Sequence, residues 1–322
     1  MCVKCVPNER MLITDVPHDV LACILRHLPA RSLSLASCSC KTLRATAATV
    51  RLRVTMTSLT WGILPWLRSP RVAERVETLH IRNTLWNRNY AFLTPMRILK
   101  TLTLSFVRVN PVLFRNLPPS LEYLDIHQMC GRDPETVFST SRLLSLPLLH
   151  TFKVSCSPML GIVNVGELPP RLKVLEIRRA MAIIVREPIV VLDLDKLKLH
   201  AVTVIISEHP VRAREVSLAC DEAPVPVSTM LPFASCVGLR SVTIACPRVT
   251  SVSCLSQATS LERAVFRLDS VFLGTLPSSL KYLELDVTYG IGVSSPLPPQ
   301  CCVRALVNGV PQPDFEARVR TA

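Results

Sequence analysis

A chain of 322 residues with 49% hydrophobic side chains is long enough to bury a sizeable core in one or two domains, which excludes global disorder. Arg, Ser, Thr or Pro interrupts every apolar segment before it reaches the ~18 residues of a membrane span. The net charge of +13 is scattered over single basic residues, mostly Arg, and aromatic residues are 5%, too few for a base-stacking platform; the charge therefore suits an acidic protein partner better than nucleic acid.

The first segment, residues 1–10, is an N-terminal tail. Glu9 and Asp15 fall where a secretory or transit peptide would be free of acids, so no targeting segment is expected and the cytoplasm or nucleus is the default. The chain has thirteen cysteines, about 4% of its residues, below the level of small disulfide scaffolds, and most lie among apolar neighbours; they are expected to be reduced. Cys2 and Cys5 have zinc-knuckle spacing that Cys38 and Cys40 could complete, but "CSC" has one intervening residue rather than two to four.

Residues 11–56 form a helical module. Val16, Val20, Leu21, Ile24, Leu25 and Leu28 recur at helical spacing until Pro29 breaks the helix, and Ser32 is placed to cap a second segment carrying Leu33, Leu35, Ala36, Cys38, Cys40 and Leu43. The run from Val16 to Arg44 resembles an F-box, with Pro17, Val20, Leu21, Ile24, Leu28, Pro29 and Leu33 at its apolar positions and Lys41 and Leu43 at its end. It departs from the usual motif at Val16, where leucine is common, and at Leu43, where tryptophan is common. The resemblance implies docking of these residues on the Skp-family adaptor of a cullin-type (SCF) ubiquitin ligase, with the rest of the chain binding a protein substrate. A helical cap whose leucines pack only on the first repeat would show the same leucine spacing.

A connecting segment, 57–75, leads to a repetitive region, 76–322. "LPPSLEYLDI" at 117–126 returns as "LPPRLKVLEI" at 168–177 and "LPSSLKYLEL" at 276–285. The pattern L-x-x-L-x-L is anchored on Leu79, Leu102, Leu124, Phe152, Leu175, Val216, Val242, Ala264, Leu283 and Ala305. Between Leu175 and Val216 both "VVLDLD" and "LHAVTVI" could supply the strand. Alternation of period two marks a strand in each unit, and a unit that cannot bury its apolar face alone must stack on its neighbours. Proline before the strand suits a turn and excludes a strand interior. The repeats resemble leucine-rich repeats, with a prefix similar to the FNIP subtype, and imply an α/β architecture in which a helical module precedes a solenoid with a curved parallel sheet.

Within each unit, letters between and after the last two apolar anchors face away from the core. His80, Arg82, Tyr123, Asp125, His127, Lys153, Glu176, Arg178, Arg267, Tyr282, Glu284 and Asp286 are thus the candidate substrate-binding residues on the expected concave face. No Gly-rich phosphate loop, H-E-x-x-H or G-x-S-x-G occurs, and neither a catalytic set nor a cofactor site is expected. Two functions fit: a non-catalytic substrate-recognition subunit of an SCF-type ligase, or a leucine-rich-repeat interaction scaffold with no ligase role.

Overall fold

The computed structural model describes residues 17–28, 32, 39–56, 64–82, 90–108, 111–130, 137–157, 161–185, 194–206, 212–221, 238–247, 249, 252–313 and 315. Among the described residues the chain opens on the helices α1 (His18–Arg26) and α2 (Lys41–Thr49). The thiol sulfur of Cys40 accepts the Leu43 N–H at 3.3 Å and so caps α2, whereas the stretch just after Ser32, which Ser32 was expected to cap, lies outside the described residues. Cys2, Cys5, Pro29, Leu33 and Cys38 lie outside the described residues.

Then comes a single 15-stranded sheet, parallel throughout except for β15 (Val310–Pro311) against β14 (Cys302–Val307). The register of its main path follows the apolar anchors. Leu79 of β2 (Val76–Ile81) pairs with Leu102 of β3 (Thr101–Arg108), which pairs with Leu124 of β4 (Tyr123–Cys130). Phe152 of β6 (Thr151–Cys156) and Leu175 of β8 (Val174–Val185) continue the row. Val216 of β10 (Ala213–Cys220), Val242 of β11 (Ser241–Ala245), Ala264 of β12 (Arg263–Leu273) and Leu283 of β13 (Tyr282–Val293) complete it as far as β14. Each of these anchors is buried. One continuous core therefore runs the length of the stack, as expected of a solenoid.

Three boundaries differ from the sequence reading. The sheet begins at β1 (Leu52–Met56), inside the stretch assigned to the helical module, where Val54 pairs with Leu79. In β9 (Leu194–Ile206) the anchor is Leu197, facing Leu175 and Val216, so "LDKLKL" supplies the strand start. In β14 the partner of Leu283 is Val303, with Ala305 opposite Leu285. A slip of two residues keeps the same face inward, which is why alternation alone could not separate these registers.

The prefix before each strand is a turn. Pro118, Pro169, Pro277 and Pro298 accept the N–H three residues on, from Leu121, Leu172, Leu280 and Cys301, at 2.9–3.1 Å. Pro119 and Pro170 sit at the second position of such turns, where their fixed φ is favourable. Ser120 and Ser279 donate to the carbonyls of Leu99 and Leu261 in the preceding repeats at 2.9 and 2.8 Å, which ties neighbouring turns together.

Helices are short: α3 (Leu64–Arg68), α4 (Pro70–Ala73) and α5 (Pro111–Arg115) have five residues or fewer, so the α/β expectation holds only through these and the N-terminal pair. Much of the far side of the stack is strand. β5 (Val137–Ser139) pairs with β7 (Ile162–Val165), which pairs with the second half of β8. Between the anchors Leu124 and Phe152 the core is filled by Phe138, whose ring lies 5.1 Å from that of Phe114 and 6.1 Å from that of Phe152. Cys220 and Cys246, at equivalent positions of adjacent repeats with Cα atoms 4.9 Å apart, are disulfide-bonded, against the expectation of reduced thiols.

Candidate functional site

Helix α1 has apolar side chains on both faces. Leu21 and Leu25 are buried, and α2 adds Leu43 and Ala47 to the same core. On the opposite face Val20 and Ile24, one helical turn apart, are 44% and 54% exposed. Pro17 and Lys41 are exposed and Leu28 is half-buried. The expected docking set thus divides. Leu21 and Leu43 pack inside the module, because the 3.6-residue period turns Leu21 and Leu25 inward when Val20 and Ile24 face out.

The module is fastened to the sheet through Arg75, just before β2. Its guanidinium donates from Nε to the Val50 carbonyl at 3.1 Å and from Nη2 to the carbonyls of Val50, at 2.8 Å, and Ala47. These acceptors close α2 at its C-terminus, where carbonyls lack helical partners and a cation is favoured. Burial holds the Arg75 pKa below its ordinary value.

On the outward sheet face two clusters repeat one local motif. In the first, the Tyr123 hydroxyl donates to Asp125 Oδ2 at 3.2 Å, His127 Nε2 lies 3.4 Å from the same oxygen, and Lys153 Nζ stands 5.6 Å from the Tyr123 ring centre. On the neighbouring strands Arg178 Nη2 donates to Glu176 Oε2, and Lys196 Nζ lies 3.9 Å from Glu176 Oε1. Strand register therefore brings an acid–base–acid series, Asp125, Lys153 and Glu176, into one row. Asp125, His127, Lys153, Glu176 and Arg178 line a hollow of about 190 Å³. Glu176 is 4% exposed rather than on an open face, because the two flanking cations cover it.

In the second cluster the Tyr282 hydroxyl donates to Glu284 Oε2 at 2.8 Å, and the Arg263 guanidinium lies 4.9 Å from the Tyr282 ring centre. Asp286 is half-buried beside them and Arg267 is exposed on the adjacent strand. His80 and Arg82 lie on β2 and just after it, apart from both clusters.

Burial first, and then the charge and hydrogen bond of Asp125, push the Tyr123 phenol up to about 12; Glu176 adds to the shift. Tyr282 is raised as well, chiefly by its hydrogen bond to Glu284. Sequence reasoning missed Lys196 and Arg263. Both occupy the outward position before an anchor, the place of Tyr123 and Tyr282, so the signal was available once the β9 register was fixed.

No group of three or more His, Cys, Asp or Glu among the described residues has metal-binding geometry. A family model for the F-box domain matches residues 13–55. That stretch is an F-box domain, and it is followed by a repeat solenoid. No curated protein matches the chain.

Proposed function

We propose that the chain is the substrate-recognition subunit of an SCF-type ubiquitin ligase, its F-box docking on a Skp-family adaptor and its repeats holding a protein substrate. The carrying observation is the exposure of Val20 and Ile24 on a helix whose Leu21 and Leu25 already supply its core face. Two exposed apolar side chains one turn apart, next to Pro17, are more than packing on the sheet requires and fit a groove on a partner. A scaffold with no ligase role would bury these residues against the first repeat.

Substrate positioning is the contribution of this chain, and ubiquitin transfer belongs to partner enzymes bound through the cullin. Such work belongs to the cytoplasm or nucleus. The outward clusters supply Tyr, Lys and Arg beside carboxylates, a mixed polar surface suited to a protein. The Arg75 clamp supports the reading further, because it holds the docking helices in a fixed relation to the recognition surface.

Co-purification with adaptor and cullin tests the proposal. Wild-type chain is expected to recover both, and Val20→Asp combined with Ile24→Asp to lose both while the circular dichroism of the sheet is unchanged. Failure of the wild-type chain to recover the adaptor would overturn the ligase reading.

A further inference from the structure

The strand-start edge of the sheet carries another polar surface, distinct from the outward face. There the residue after the first apolar position of each repeat donates its N–H to its counterpart in the repeat before. Glu122 donates to Lys100 at 2.9 Å, Arg240 to Arg214 at 2.8 Å, and Lys281 to Glu262 at 2.9 Å. This ladder sets neighbouring side chains at the spacing of adjacent strands, about 4.8 Å. Charge alternates along much of it: Lys100 pairs with Glu122 at 3.0 Å, Arg214 with Asp195 at 3.2 Å and Lys281 with Glu262 at 3.5 Å.

At one step the alternation fails. Arg214 and Arg240 are direct neighbours, and like charges opposite one another on paired strands are unfavourable. Arg214 has Asp195, but Arg240 forms no ion pair with a described carboxylate, and neither does Arg212 in the turn before β10.

This like-charge step coincides with a cleft of about 670 Å³ walled by Arg212, Arg214, Arg240 and Lys281, with Glu262 on the same wall. At the position before the first apolar residue the cleft has Arg212, Gly238, Ser260 and Ser279; the repeats of Leu99, Leu149 and Leu172 place Ile98, Leu148 and Arg171 there, and that of Leu121 places Ser120. Gly238 takes φ +87°, a conformation in which a larger residue would be strained.

We propose that this cleft binds an extended acidic segment of a partner protein. Four repeats span about 14 Å at the strand spacing, which matches about four residues of extended peptide rather than a lone anion. Guanidinium forks pair with carboxylates in two-point contacts, and Arg212 and Arg240 are free to do so. Glu262 on the wall and the lack of an aromatic lining disfavour a nucleic-acid strand, which needs continuous positive charge and stacking. The inference is independent of the adaptor-docking reading and concerns different residues.

Fluorescence polarisation of the full chain with a short fluorescein-labelled poly-glutamate peptide tests it, with a thymidine oligonucleotide as the competing probe. The peptide is expected to bind, and Arg212→Glu with Arg240→Glu to weaken it about tenfold or more. The same charge change at exposed Arg97 and Arg108 should alter binding by less than about twofold. Arg240→Ala, a milder truncation of an exposed side chain, gives a second reading if the double reversal disturbs folding, and a clear loss is expected there too. No peptide binding, equal weakening by both reversals, or tighter binding of the oligonucleotide through the same arginines would overturn the proposal.

Discussion

The guanidinium of Arg75 donates two hydrogen bonds to the carbonyl of Val50, across the joint between the F-box helices and the solenoid. The acceptor closes α2 and the donor stands before β2, so one side chain satisfies a helix end and fixes the module on the sheet. Arg75→Met keeps much of the apolar stem but leaves the carbonyls of Ala47 and Val50 without this partner. A loss of about 1–3 kcal/mol in urea unfolding is expected, with faster proteolysis in the N-terminal module. An unchanged unfolding midpoint and unchanged cleavage would show that the clamp is dispensable.

Arg178 and Arg267 look interchangeable in sequence, each an Arg on the outward face. Their surroundings separate them. Arg178 covers the buried carboxylate of Glu176, which keeps only Lys196, at 3.9 Å, if Arg178 is reversed. Arg178→Glu is therefore expected to cost about 1–3 kcal/mol, part of the pair's strength being screened by solvent. Arg267→Glu should stay within about 0.5 kcal/mol. Equal midpoints for the two variants in chemical denaturation would contradict the pairing of Arg178 with Glu176.

How much of this was legible in the sequence follows from the same period-two pattern. Leucines at Leu102, Leu124, Leu175 and Leu283 announced the inward row because each combines an anchor with its Pro-bearing turn. Leu197 was hidden in the gap between two alternating runs, 190–195 and 199–205, and Val303 by a two-residue slip that leaves the buried face unchanged. In α1 the spacing marked Val20, Leu21, Ile24 and Leu25 alike, and with apolar groups on both faces nothing in the pattern told which pair turns inward. The burial of Glu176 depends on cations from its own strand and from β9, so it became visible only once those strands were paired. The basic cleft draws on turn residues, Arg212 and Gly238, and on Arg214, Arg240 and Lys281 at the strand starts, positions outside the alternating pattern that marked the strands.

Tyr123 gives a pH signature. Its phenol is neutral up to about 12 in the folded chain, through burial and the neighbouring Asp125 and Glu176 carboxylates, against an ordinary value of 10.0. Because the folded pKa is the higher one, the contribution to stability is fully present below pH 10.0 and is lost as pH rises toward about 12. An ultraviolet titration of the folded protein should contain a late phenolate step that Tyr123→Phe removes and Asp125→Asn moves to lower pH. If Tyr123→Phe leaves the titration curve unaltered at its high-pH end, the cluster geometry is wrong.

Arg179 takes φ 60°, as do Phe106 and Gln128, at φ 58° and 56°, in equivalent positions four residues after their anchors. In each of these repeats the left-handed residue bends the strand so that Val107, Met129 or Ala180 returns to the core. A non-glycine residue in that conformation costs about 1–2 kcal/mol, more than the ~0.5–1 kcal/mol of extra chain entropy that glycine loses on folding. Arg179 is exposed, so truncating it sacrifices little packing. Arg179→Gly is thus expected to raise stability by about 0.5–1 kcal/mol, seen as a higher urea midpoint at unchanged slope. Arg178→Gly, one residue earlier and without positive φ, should lower the midpoint by losing the contact with Glu176. A fall in the Arg179→Gly midpoint as well would mean that the bend is held by its side chain rather than tolerated in spite of it.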